Sequence, residues 1–137
     1  MSGKRTRERR FRVLECALVL ATLATACDND PTGATEGITL FEHPNFEGDS
    51  VTLAGGFSDF DDLRGPCNAT SSSSGNWDDC VSSIRVDPGW GGAIFEDPDY
   101  RGERLDILGD ISDLDDVRGP CGDDWDDCVS SMQVSRR

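Results

Sequence analysis

Two stretches of the chain gather side chains able to do chemistry: NWDDCVSSIRV, from Asn76 to Val86, and DWDDCVSSMQV, from Asp124 to Val134. Each sets a carboxylate pair (Asp78 and Asp79; Asp126 and Asp127) beside a cysteine (Cys80; Cys128) and two hydroxyls (Ser82 and Ser83; Ser130 and Ser131). Carboxylate and hydroxyl oxygens suit a hard cation, paired cysteines suit a disulfide in an exported domain, and the tail VSSIRV suits a β-strand. A duplicated metal clamp, a duplicated disulfide and a duplicated strand are three compatible readings. Catalysis is the reading with least support. The single histidine is His43, Asp97 takes its place in the second half of the chain, and no Ser/His/Asp or Cys/His set is formed. His43 reads as a surface turn residue.

The elements that must position these groups are themselves duplicated. LFEHPNFEGDSVTLAGGFSDFDDLRGPC (Leu40–Cys67) matches IFEDPDYRGERLDILGDISDLDDVRGPC (Ile94–Cys121) without a gap. After the cysteine, the first copy carries NATSSSSGN (Asn68–Asn76) where the second has only GDD (Gly122–Asp124), and the copies rejoin at WDDCVSS. Two copies of a period near 50 residues predict one pseudo-twofold domain and not a solenoid. GITLFEH and DSVTLAG alternate apolar and polar residues as strands do, with Gly48 placed for a bend of positive φ. SDFDDL and SDLDDV predict short helical turns with Ser58 and Ser112 as N-caps. CVSSIRV and CVSSMQV predict the last strand of each copy. The sum is an all-β domain of about eight strands, a two-sheet Greek-key sandwich, with Trp77 and Trp125 as packing residues.

Charge narrows the partners. The 137-residue chain has a formal net charge of −14, but residues 1–27 hold six of its 13 Lys and Arg and only two of its 27 Asp and Glu. The remainder carries seven basic against 25 acidic residues, a balance of −18. Such a body repels phosphate backbones, which excludes nucleic acid as a natural partner and favours cations. The basic start and the apolar run CALVLATLATA (Cys16–Ala26) predict an export signal over 1–26, too short to span a bilayer as a mature helix. The stretch LATAC (Leu23–Cys27) resembles a bacterial lipobox, with Ala24 where Leu is commonest; it implies acylation of Cys27, an ordinary cleaved signal being the alternative. Residues 27–36 read as a polar tether. Cys16 leaves with the signal, so four cysteines remain in the exported body.

Phe41-x4-Phe46-x-Gly48 with Ser58, and Phe95-x4-Tyr100-x-Gly102 with Ser112, resemble the paired Greek-key signatures of the βγ-crystallin family. The resemblance covers about residues 37–135, with motif 1 over about 37–87 and motif 2 over about 92–135. It implies that each aromatic pair packs over a folded first hairpin, which the later serine (Ser58 or Ser112) ties down. Microbial members bind calcium through two Asn/Asp residues, two intervening residues, then Ser/Thr and Ser. Asp78–Ser83 and Asp126–Ser131 match that pattern in full. The resemblance therefore implies two Ca²⁺ ions in a double clamp. Each site would take a backbone carbonyl and a carboxylate from one Asp pair (Asp78 and Asp79, or Asp126 and Asp127). The other copy would supply the first serine hydroxyl (Ser82 or Ser130), and Glu42 or Glu96 a further backbone carbonyl.

The cysteines depart from the family pattern. Sequence alone permits three pairings of four cysteines; the mates within each copy predict Cys67–Cys80 and Cys121–Cys128, each fixing the backbone at a clamp. The expected function is a non-enzymatic, calcium-stabilised protein of the bacterial cell envelope, held at the membrane through a lipid anchor. Two alternatives stand beside it: a protease inhibitor of the same fold presenting the 68–76 loop, and a purely structural domain without metal.

Overall fold

The computed structural model of the chain describes residues 33–137. The expected export signal, Cys27 and most of the 27–36 tether lie outside the described residues. Each repeat opens with a long antiparallel pair: β1 (Ile38–His43) with β2 (Glu47–Leu53), and β5 (Trp90–Asp97) with β6 (Arg101–Ile107). Short strands β3 (Arg64–Cys67) and β7 (Arg118–Cys121) follow, then the closing strands β4 (Ser83–Val86) and β8 (Ser131–Arg136). The sheets run β2-β1-β4 and β6-β5-β8. Between them the repeats exchange single residues. Phe57 of the first repeat bridges Met132 of β8, and Ile111 of the second bridges Ile84 of β4, each through a reciprocal pair of backbone hydrogen bonds of 2.8–2.9 Å. Each three-stranded sheet is thus extended at one edge by a single residue of the other repeat.

Period-two patterning explains the core. Ile38 and Leu40 of β1 and Ile94 of β5 turn one face inward, where they meet Leu53, Ile84, Ile107 and Met132. Phe60, Leu63 and Leu114 descend from the loops, and Val81, Val129 and the tryptophans Trp77 and Trp125, each 2% exposed, fill the layer under the Asp pairs. Burying each such large side chain contributes about 1.5–3 kcal/mol.

The hairpins fold as the resemblance implies, but a different serine ties them. Phe41 and Phe46 pack edge to face with ring centroids 5.7 Å apart, and Phe95 and Tyr100 repeat this at 5.7 Å. Gly48 has φ +80°, and a Cβ there would meet His43 and Glu42 side-chain atoms at 2.8–3.2 Å. Ser83 Oγ donates to the His43 carbonyl (2.6 Å) and accepts from the Phe46 N–H (3.0 Å). Ser131 does the same for Asp97 and Tyr100 at 2.7 and 3.1 Å. The reason is register. Ser83 lies opposite Phe41, and Ser131 opposite Phe95, directly below each folded hairpin. Ser58 and Ser112 instead offer backbone carbonyls to the Asp99 and Asn45 N–H groups of the opposite repeat, both at 2.7 Å.

The turns beyond these serines also differ from expectation. No helix forms there, and the residue that closes each turn is the following aspartate: Asp59 Oδ1 accepts from the Asp61 N–H, and Asp113 Oδ1 from the Asp115 N–H. A carboxylate capping two residues onward stabilises an isolated turn without propagating a helix. The closing strands are shorter than their pattern, β4 beginning at Ser83 and not at Cys80. The preceding residues belong to the clamp.

Candidate metal centre

Local backbone conformation turns each Asp pair outward. Asp79 and Asp127 both adopt φ +49°, a left-handed conformation that Asp tolerates better than most residues. The next residue, Cys80 or Cys128, is fully buried and joined to Cys67 or Cys121 by a disulfide, with Cα separations of 5.9 and 5.8 Å. Buried half-cystine and left-handed aspartate together make a sharp corner at the rim of the core.

The corners of the two repeats interlock. The Asp79 N–H donates to the Val129 carbonyl and the Asp127 N–H to the Val81 carbonyl, both at 3.2 Å. Each Asp pair therefore lies against the residue preceding the first serine of the other repeat. Ser82 and Ser130 are themselves buried and pinned by their backbones: Ser82 N–H donates to the Phe41 carbonyl and Ser130 N–H to the Phe95 carbonyl, each at 3.0 Å. Glu42 and Glu96 are the next residues along from those carbonyls. Their side chains are engaged in their own hairpins, Glu42 Oε2 accepting from the Asp49 N–H at 3.3 Å and Glu96 Oε2 from the Glu103 N–H at 3.1 Å.

The electrostatics at these corners favour a cation. Burial, and next Asp126, Asp124 and Glu42, raise the Asp127 carboxyl above its ordinary range, while His43 opposes the rise. Burial, and next Asp78 and Asp127, raise Asp79. Asp78 Oδ1 and Asp126 Oδ1 are buried with no hydrogen-bond partner; among the described residues the only other such side-chain atom is Trp90 Nε1. An unmet buried acceptor costs about 1–3 kcal/mol, and more when it is charged. The chemistry of the donor set fits a hard cation, which takes six to eight oxygens of mixed type. Among the described residues no three His, Cys, Asp or Glu side chains converge as a metal-binding group, so an ion here would draw on hydroxyl and carbonyl oxygens as well.

Several participants were hidden in the sequence. His43, read there as a plain turn residue, stands 3.8 Å from Glu42 and acts on Asp127 across the repeat boundary. Asn68 and Asn76 belong to the neighbourhood as well, Asn68 Nδ2 donating to the Asp78 carbonyl at 2.8 Å. The exposed 68–74 stretch closes on itself through mutual Thr70–Ser73 hydrogen bonds.

No family model matches the chain, and no curated protein matches it. Solved structures do. One, from work on the evolution of the eye lens βγ-crystallin domain fold, is similar over 76% of this chain and 89% of its own length, at 27% identity and a TM-score of 0.55. A βγ-crystallin domain from Flavobacterium johnsoniae is similar over 73% of this chain and 94% of its own, at 25% identity and a TM-score of 0.52. The N-terminal domain of Protein S shares the fold over 73% of this chain and 96% of its own, at 21% identity and a TM-score of 0.52.

Proposed function

We propose that this chain, whose fold is similar to that of βγ-crystallin domains, is a non-enzymatic calcium-binding protein whose fold the ion stabilises. Two ions occupy the crossed corners. One is held by Asp126 and Asp127 with the Ser82 hydroxyl and the Glu42 carbonyl, the other by Asp78 and Asp79 with the Ser130 hydroxyl and the Glu96 carbonyl. The observation that carries this reading is the pair of buried, unpartnered carboxylate oxygens at Asp78 and Asp126, each on a corner hydrogen-bonded to the opposite repeat.

The remaining groups prepare these corners. The disulfides fix the backbone beside each Asp pair, which leaves less ordering for the ion to impose. A body at −18 is self-repelling, and each bound dication relieves part of that repulsion. At a free calcium concentration 100 times Kd, one site adds about 2.7 kcal/mol of stability. Calorimetric titration with CaCl₂ alongside thermal melts tests the reading. Heat of binding with two ions per chain and a higher Tm supports it; neither heat nor a Tm shift in excess calcium overturns it.

The same protein is proposed to work in the cell envelope, anchored by a lipid on Cys27. That part rests on the sequence of residues 1–27. Membrane fractionation of wild type and Cys27→Ala checks it: release of the variant from the membrane fraction supports the anchor, and equal partition of the two removes it.

A further inference from the structure

The two corners share every clamp residue and differ in what stands beside them. In the first repeat, Asn68 Nδ2 donates to the Asp78 carbonyl at 2.8 Å and to Asn76 Oδ1 at 2.9 Å, while Asn76 Nδ2 donates to Asp61. A chain of neutral amides thus ties the backbone of one Asp pair to a neighbouring turn. Asn68 holds a left-handed φ of +57°, where its counterpart in the second repeat is Gly122 at φ +70°. A side chain kept at a position suited to glycine is used here for its two donors.

The second repeat replaces Asn76 with Asp124. Its Oδ1 accepts from the Asp126 N–H at 3.0 Å, so this Asp pair is also held, but by a carboxylate. The like charge of Asp124 raises the Asp115 carboxyl, whereas the equivalent Asp61 meets the amide of Asn76. Position 124 therefore carries a negative charge beside its Asp pair where the equivalent Asn76 is neutral.

We infer that the two clamps are positioned by opposite chemistry: Asn68 and Asn76 are neutral positioning residues of the Asp78–Asp79 clamp, and Asp124 is a charged positioning residue of the Asp126–Asp127 clamp. This inference rests on the calcium reading. It makes the two binding steps unequal in their response to salt, because a charge outside the ligand set acts through solvent and is screened within about 8–10 Å at physiological ionic strength. The step at Asp126–Asp127 is the more salt-sensitive of the two.

The test is calcium titration of the full exported chain by calorimetry, with each step assigned from the amide NMR signals of Ser82 and Ser130. Asn68→Gly, the residue type already present at the equivalent Gly122, removes the donors without adding a charge or straining the left-handed backbone. It weakens the Asp78–Asp79 step by about tenfold, the scale of one to two lost hydrogen bonds, and leaves the other within about twofold. Asp124→Asn keeps the acceptor and the turn but removes the charge. It weakens the Asp126–Asp127 step by about threefold at low salt, and about 0.5 M KCl abolishes that difference. Calcium-free melts of both variants check that the fold is intact. Equal shifts of both steps, or of neither, overturn the inference while wild type still binds two ions. A wild type that binds no calcium overturns this inference and the calcium reading together.

Discussion

The hairpins and corners of the two repeats match closely, whereas the segments between their cysteines do not. Aromatic spacing, the tying serine, the left-handed aspartate and the stranded carboxylate oxygen recur in both halves at nearly the same geometry. Between Cys67 and Cys80, however, lie nine residues before the shared WDD, against three between Cys121 and Cys128. The difference separates what the crossed corners demand from what merely supports them. A corner needs its Asp pair outward and its cysteine inward; neutral amides on a longer loop and a carboxylate on a shorter one both achieve this.

The disulfides should separate the two halves by the widest margin. Replacing Cys67 and Cys80 together by serine is expected to cost about 3 kcal/mol, and replacing Cys121 and Cys128 slightly less, because the shorter loop constrains the unfolded chain less. Urea unfolding of the two variants measures both. A larger loss from the second pair would show that the bridges act through strain or packing and not through loop closure.

The serines act alike in both halves and at smaller scale. Ser83→Ala and Ser131→Ala each remove the partner of a part-buried carbonyl and N–H, and each is expected to lose about 1–2 kcal/mol in thermal melts. Ser58→Ala and Ser112→Ala, whose backbones rather than hydroxyls reach the opposite hairpins, are expected within about 0.5 kcal/mol of wild type.

Proton linkage gives a subtler contrast. Asp79 and Asp127 have carboxyls raised in the folded state, so the fold binds their protons more tightly than the unfolded chain does. Calcium-free stability is therefore expected to rise as pH falls from above the raised values toward the ordinary 3.8, and to level off below it. Calcium affinity moves the other way over that window, because protons compete for the same carboxylates. Melts with and without calcium across pH 3–7 read both slopes; parallel slopes would contradict the assignment of these carboxylates to the ions.

Much of this was legible in the sequence because duplication doubled every signal. Strand alternation, hairpin glycines and within-repeat cysteine pairs each appeared twice in the same order, and the fold follows from them. The adjacent serines were not separable by pattern. Ser82 and Ser83 differ by one residue of register, and only their position opposite Phe41 decides which one reaches the hairpin. Likewise Asn68 looked like one residue of a Ser-rich insertion, since its bond to the Asp78 carbonyl spans ten positions and requires the closed loop. His43 was obscured for the same reason: its influence on Asp127 crosses between repeats.

The central claim is that each ion joins one repeat's Asp pair to the other repeat's serine. A double-mutant cycle in calcium binding tests it most directly, using Asp127→Asn with Ser82→Ala and, separately, Asp127→Asn with Ser130→Ala. Crossed clamps predict that the Asp127–Ser82 pair couples, the double variant losing the same binding step as each single one, while Asp127 and Ser130 act additively on different steps. Coupling between Asp127 and Ser130, with additivity for Asp127 and Ser82, would contradict the account.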